Sequence, residues 1–156
     1  MNQLQPANAQ RIVVGVDGSS GSKEALRWAV GQAELTGAVV EAVIAWQFPA
    51  VASGYGWIPM PVADDLDCEG IAAKVLGDTV ADCADPAGQV QIITSVLHGN
   101  AAEVLLDRAR GADLLVVGSR GHGGFVGALL GSVSQHCAHH ATCPLVIIRS
   151  AAAQGS

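Results

Sequence analysis

Five short runs rich in Val, Ile and Leu alternate with four segments whose apolar residues recur at helical spacing, and this alternation constrains the fold more than any other feature of the chain. Arg11 to Val16 reads as the first strand, broken by Asp17-Gly18-Ser19-Ser20-Gly21. From Ser22 to Thr36 the residues Ala25, Leu26, Ala29, Val30 and Ala33 mark one face of a helix, and Gly37 is its stop. Val39 to Trp46 is the second strand; Ile71, Val75, Leu76, Val80 and Cys83 mark a second helix that ends before Pro86. Val90 to Leu97 is the third strand, and Ala101 to Arg110 is a short helix carrying Val104 and Leu105. Leu114 to Val117, a helix from Ser132 to Ala141, and the strand Leu145 to Ile148 close the series. Such alternation implies parallel strands joined by right-handed crossovers, hence an α/β fold with an open, doubly wound five-stranded sheet and helices on both faces. The pattern leaves the strand order open.

At 156 residues the chain has the size of one domain able to bury a core without staples. Half of it is hydrophobic but only 4% is aromatic, so the core must be built from Ala, Val, Leu and Ile, as buried parallel strands prefer. The formal charge of −6, with Lys23 and Lys74 the only lysines, offers no basic surface for a nucleic acid. Cys68, Cys83, Cys137 and Cys143 form no C-x-x-C pair, and the opening residues lack a basic and an apolar leader region, so a cytoplasmic protein with reduced thiols is expected. Glu41, Asp113 and the glycines interrupt every apolar run before membrane-spanning length.

The fourth strand runs into Gly118-Ser119-Arg120-Gly121, and nine residues later Gly131-Ser132 opens the last helix. Free N–H groups and the positive dipole end at a helix start can hold an anion without a lysine. Glycine permits positive φ and lets a ligand approach the backbone closely. Ser132 adds a hydroxyl donor, and Ser119 is a second candidate. No Gly-Lys-Ser or Gly-Lys-Thr occurs, and Gly15-Val16-Asp17-Gly18 does not meet the dinucleotide fingerprint, so neither a P-loop NTPase nor a dinucleotide-dependent dehydrogenase fits.

The spacing Gly-x2-Gly-x9-Gly-Ser, carried by Gly118, Gly121, Gly131 and Ser132, resembles the nucleotide-binding signature of the universal stress protein family. The likeness extends to Ile12-Val13-Val14-Gly15-Val16-Asp17-Gly18-Ser19, to Ala112-Asp113-Leu114-Leu115-Val116-Val117-Gly118, and to Cys143-Pro144-Leu145-Val146-Ile147-Ile148. It implies strand order 3-2-1-4-5, which sets the first and fourth strands side by side where the winding reverses and where open α/β sheets bind ligands. It also implies ATP, accompanied by Mg2+ where a metal is used, in a stress-response sensor or regulator that is not a turnover enzyme. Asp17 would accept hydrogen bonds from the ribose or adenine, and the backbone around Ala45 and Trp46 would hold the adenine. Gly118, Gly121, Gly131 and Ser132 would surround the phosphates, and Ser119, Arg120 and Val133, beside them in the loop and at the helix start, are further candidates. A homodimer through the last strand and a regulatory protein partner complete the expectation, with residues 11–150 as one nucleotide-binding domain between tails 1–10 and 151–156.

Each signal also has a structural alternative. Asp17 can instead supply an Asx-turn or cap for the first helix; Arg120 and His122 can be solvated loop side chains, and Trp46 packing. His98 reads as a satisfied strand-end histidine. His136, Cys137, His139, His140 and Cys143 resemble a metal set, but Cys137 falls on the apolar face and histidines suit a helix C-terminus, so no metal site is expected. No nucleophile elbow, His-Glu-x-x-His or paired carboxylate set occurs. The segment Gln47 to Asp65, with Tyr55, Trp57 and three prolines, is too long for an ordinary strand-helix connection and reads as a mobile flap, either a lid or docking loop or an insertion without function. Alternatives to ATP binding are an AMP or cyclic AMP site, a nucleotide-independent interaction module, and an adenylyl- or phosphoryl-transfer enzyme, for which no base or metal-carboxylate cluster is present.

Overall fold

A computed structural model describes residues 10–48, the backbone of 50–54 and 56–59, and residues 67–120 and 130–149. Strand β1 (Arg11–Gly15) is buried on both sides: Ile12 and Val14 face one helical layer and Val13 the other. This is the requirement for a strand in the middle of a parallel sheet. It lies between β2 (Val39–Trp46) and β6 (Leu114–Gly118); β5 (Ile92–His98) flanks β2, and β7 (Leu145–Ile148) flanks β6. All four pairings are parallel. The remaining strands, β3 (Ala50–Ser53) and β4 (Gly56–Pro59), form a separate antiparallel ribbon. The main sheet therefore has the order β5-β2-β1-β6-β7, which is 3-2-1-4-5 once the ribbon is left out of the count.

Helices α1 (Ser20–Thr36) and α2 (Cys68–Cys83) cover one face, and α3 (Ala101–Arg108) and α4 (Ser132–His140) the other. The period of two along β6 divides the two cores, with Val116 toward α1 and Leu115 and Val117 toward α3. Leu26, Leu76 and Leu115 are each fully buried, contributing about 1.5–3 kcal/mol apiece by removal from water. Ser19, Asp67 and Asn100 cap α1, α2 and α3, each side chain accepting from the N–H three residues on. Gly37 ends α1 through its N–H to the Ala33 carbonyl.

Two expectations need correction. The buried face of α2 is Ala72, Leu76, Thr79 and Cys83, whereas Ile71 points outward and is 55% exposed. The choice between neighbouring apolar residues is settled by where α1 lies, and Thr79 is admitted because its hydroxyl bonds the Val75 carbonyl. The segment read as a flap contains the β3–β4 ribbon, in which Gly56 and Pro59 sit at strand ends where such residues do not interrupt a ladder. Its Tyr55 lies outside the described residues. Elsewhere element ends differ from the sequence reading by one or two residues.

One charged group is built into the sheet. Glu41, 2% exposed on β2, receives hydrogen bonds from Arg11 Nη1 (3.0 Å), Arg108 Nε (2.9 Å) and Ser95 Oγ (2.8 Å), with Arg108 Nη2 also paired to it. Arg11 further donates to the Arg108 and Arg110 carbonyls at 3.0 Å each, tying the start of β1 to the end of α3. Burial alone would raise the Glu41 pKa, but Ser95 and the two guanidinium groups outweigh it and hold the carboxyl below its usual value.

Candidate functional site

The carboxyl ends of β1 and β6 lie side by side, and the loops leaving them touch through glycine. A Cβ placed on Gly118 would lie 2.9 Å from the carbonyl carbon and oxygen of Gly21, and one on Gly21 would lie 2.7 Å from the Arg120 carbonyl oxygen. Both distances are below any tolerable contact. The first turn of α1 therefore packs backbone to backbone on the strand-to-loop junction of β6, and only residues without a side chain allow it. Gly118 is absent from the glycines with positive φ, and Gly131 has φ −73° and ψ 170°, ordinary extended backbone. The expectation that this pair supplies positive φ is thus corrected: Gly118 is needed for close approach.

Ser119, 6% exposed, organises the next step. Its N–H donates to the Ile148 carbonyl on β7 (2.8 Å), and its own carbonyl accepts from the Gly131 N–H (2.6 Å) and from Ser134 Oγ (3.1 Å). Ser134, 2% exposed, also donates toward the Gly131 carbonyl at 3.0 Å. The chain leaving β6 and the chain entering α4 are thereby pinned at one point. The Gly131 N–H is consumed in this pinning, so the amides that α4 can present to an anion are those of its first turn, beginning with Ser132 and Val133. Unlike the other three helices, α4 has a glycine at its N-cap position, with no side chain to cover those amides. Ser132 is exposed, while the Val133 side chain packs into the α3–α4 core.

Across the crevice, Asp17 forms the Asx-turn anticipated as its structural alternative. Its Oδ1 accepts from the Ser19 N–H (2.9 Å) and from the Ser19 hydroxyl, and its own N–H approaches Ser22 Oγ at 3.3 Å. Ser19 Oγ in turn receives the Ser22 N–H. The start of α1 is closed by its own serines, and the carboxylate is fixed at the crevice rim.

On β2, Val39 and Val43 bond toward β1, while Val40 and Trp46 bond toward β5. Ala45 shares the parity of Val43, so its peptide groups point to the β1 side, level with the Asp17 loop where β1 has already ended. Trp46 points elsewhere. Its carbonyl accepts from the Gly99 N–H (2.8 Å), and its ring meets His98 and Phe48 edge-on at 4.7 and 5.5 Å between centroids. Of the sequence candidates, then, Asp17, Ala45, Gly118, Ser119, Arg120, Gly131, Ser132 and Val133 gather at the β1–β6 end of the sheet, and Trp46 serves packing. Gly121 and His122 lie outside the described residues. Gly21, Ser22 and Ser134 were missed; the serine spacing within Asp17-Gly18-Ser19-Ser20-Gly21-Ser22 was the available signal for Ser22.

His136, His139 and His140 are exposed on α4, while Cys137 is wholly buried, its thiol pushed up to about 11 by burial and by the neighbouring Cys143. No group of three or more metal-ligating side chains gathers among the described residues. No helix among them is long and apolar enough to cross a membrane.

The model of the universal stress protein family matches residues 8–149. The chain belongs to that family. A universal stress protein of Mycolicibacterium smegmatis is 34% identical over 152 residues, covering 93% of this chain and 50% of its own length. Another, of Mycobacterium tuberculosis, is 34% identical over 138 residues, covering 88% and 44%. The chain spans about half the length of these curated relatives. Among solved structures, a universal stress protein in complex with cAMP has TM-score 0.67 at 28% identity, covering 92% of this chain and 98% of that one. The universal stress protein from Archaeoglobus fulgidus in complex with dAMP has TM-score 0.62 at 23% identity, over 89% and 97%, a likeness of fold.

Proposed function

We propose that this universal stress protein binds an adenine nucleotide, ATP in the leading reading, across the carboxyl ends of β1 and β6. Its phosphates meet the first-turn amides of α4 and the Ser132 hydroxyl, beside Gly118, Ser119, Arg120 and Gly121. Asp17 and the Ala45 peptide face the nucleoside. The observation that supports this reading is the start of α4, where the N-cap is glycine and the Ser119 pinning sets the first-turn amides at the sheet's switch point. Among the described residues no base and nucleophile are assembled at the site, and in this reading the nucleotide acts as a signal in the stress response, passed in the cytoplasm to a partner protein. Any Mg2+ would arrive with the phosphates.

Asp17→Ala is expected to weaken ATP and adenosine alike. Ser132→Ala removes a donor to a charged group, about 1.5–3 kcal/mol or roughly 10- to 150-fold in affinity, and should spare adenosine. Calorimetric titration of folded variants decides between them; equal loss of adenosine and ATP in Ser132→Ala would remove the phosphate assignment. Mass analysis of nucleotide released from denatured protein distinguishes ATP from the second reading, AMP or cyclic AMP, which the cAMP complex of the structural relative favours.

We also propose a homodimer through β7. Among the described residues its ladder is filled on the β6 side alone, leaving an edge of N–H and C=O groups over Leu145–Ile148. Light scattering should give twice the chain mass at micromolar concentration, and a monomer throughout that range would overturn the assignment.

A further inference from the structure

His139 and His140 lie in the last turn of α4 and His136 in its middle, away from the helix start. His136 and His140 are four residues apart, hence on one face, and their ring centroids lie 4.6 Å apart with planes inclined by 36°. The His139 ring lies farther off, 6.4 Å from that of His140. All three residues are exposed, and His139 and His140 sit in the last turn, at the negative end of the helix dipole, where a cation is favoured.

Two imidazole nitrogens bound at about 2.0–2.1 Å place their ring centres roughly 3.2 Å from the ion; nitrogen–metal–nitrogen angles between square-planar and tetrahedral then separate the rings by about 4.5–5.2 Å. The observed spacing falls inside that interval. We propose that His136 and His140 form a two-imidazole surface chelate for a divalent transition-metal ion. Cys137, between them in sequence, points into the core and is 0% exposed, so it is no ligand. With no larger ligating group among the described residues, water completes the coordination and the ion exchanges freely. Imidazole donors select Cu2+, Ni2+ and Zn2+ over Mg2+ and Ca2+, which take oxygen ligands, and the order of affinity should be Cu2+ above Ni2+ and Zn2+. A tight structural metal is a different matter, and the fold does not depend on this one.

The test is calorimetric titration of the full chain with Cu2+, Ni2+ and Zn2+, alongside His136→Ala, His139→Ala and His140→Ala, each checked for folding by circular dichroism. Wild type should take up one ion, with its melting temperature rising as metal is added. His136→Ala and His140→Ala should each bind at least about tenfold more weakly and lose the thermal shift, while His139→Ala stays within about twofold. Absence of uptake by wild type would overturn the proposal and leave the two rings as a stacked pair. Equal loss in His139→Ala, or wild-type uptake in both other variants, would overturn it too, pointing to a site elsewhere. The outcome is independent of nucleotide binding.

Discussion

Gly131→Val should lower ATP affinity by at least about 100-fold while leaving the fold nearly as stable as wild type. The backbone at this position is extended, with φ −73° and ψ 170°, a conformation valine adopts readily. The Gly131 N–H and carbonyl both take part in the pinning, through Ser119 and Ser134, and neither bond depends on the side chain. A branched group there would stand over the first-turn amides of α4, where the phosphates are proposed to sit. Gly118→Ala should behave in the opposite way. Its methyl would collide with the Gly21 backbone at 2.9 Å, and backbone cannot rotate aside, so a destabilisation of about 1–3 kcal/mol is expected. Urea unfolding and nucleotide titration of the two variants separate the roles. Wild-type ATP affinity in well-folded Gly131→Val would refute the proposed site, and an unchanged unfolding midpoint in Gly118→Ala would refute the crossing.

Glu41→Gln should be the most destabilising change away from the site. It leaves Arg11 and Arg108 facing an uncharged partner within the sheet; breaking a fully buried pair costs about 3–5 kcal/mol, and because these two side chains are 33% and 43% exposed, about 2–3 kcal/mol is expected. That corresponds to roughly 4–12 °C in melting temperature. The pH dependence has a definite sign. The folded Glu41 pKa is lowered, so its contribution is complete above the ordinary carboxylate value of 4.5 and disappears as pH falls through the lower folded value. The difference between wild type and Glu41→Gln should therefore be constant near neutrality and shrink below about pH 4.5. A gap that persists unchanged into strong acid would mean that the carboxylate's charge is not what Arg11 and Arg108 require.

The parallel sheet was legible because β1, β2 and β6 are short, β-branched and buried on both sides, which leaves few other readings of Ile12 to Val14 or Leu114 to Val117. The placement of Gly118, Gly131 and Ser132 was legible as a spacing, but its cause was not. Nothing in the sequence marks Gly21 as the surface that Gly118 must clear, because the two meet only after α1 has docked. Ser134 likewise reads as one polar residue in a short helix until Ser119 is brought to it. Glu41 looked like an interruption of an apolar strand. A lone carboxylate in a strand otherwise bound for the core was a signal that arginines must come to it, though Arg108 could not be chosen over its neighbours without the end of α3 in place. Ile71 was misjudged because a helical stripe identifies a face only to within about one residue. The ribbon was obscured by its own glycines and prolines.

The contact between Gly21 and Gly118 also sets a timetable. Its two sides lie almost a hundred residues apart, and Ser119 is fastened to β7, the last strand of the sheet in chain order. During synthesis the early segments emerge first and can pair β1 with β2 and, once translated, β5. Yet the α1 turn has no facing wall until β6 arrives, and Ser119, which pins the start of α4, is not itself fastened until β7 follows. A nascent or truncated chain ending before these strands carries Asp17 and the α1 turn but has nothing to set against them. The proposed binding competence thus comes only with completion of the sheet, so that nucleotide occupancy would report a fully assembled sheet as well as the cellular nucleotide level.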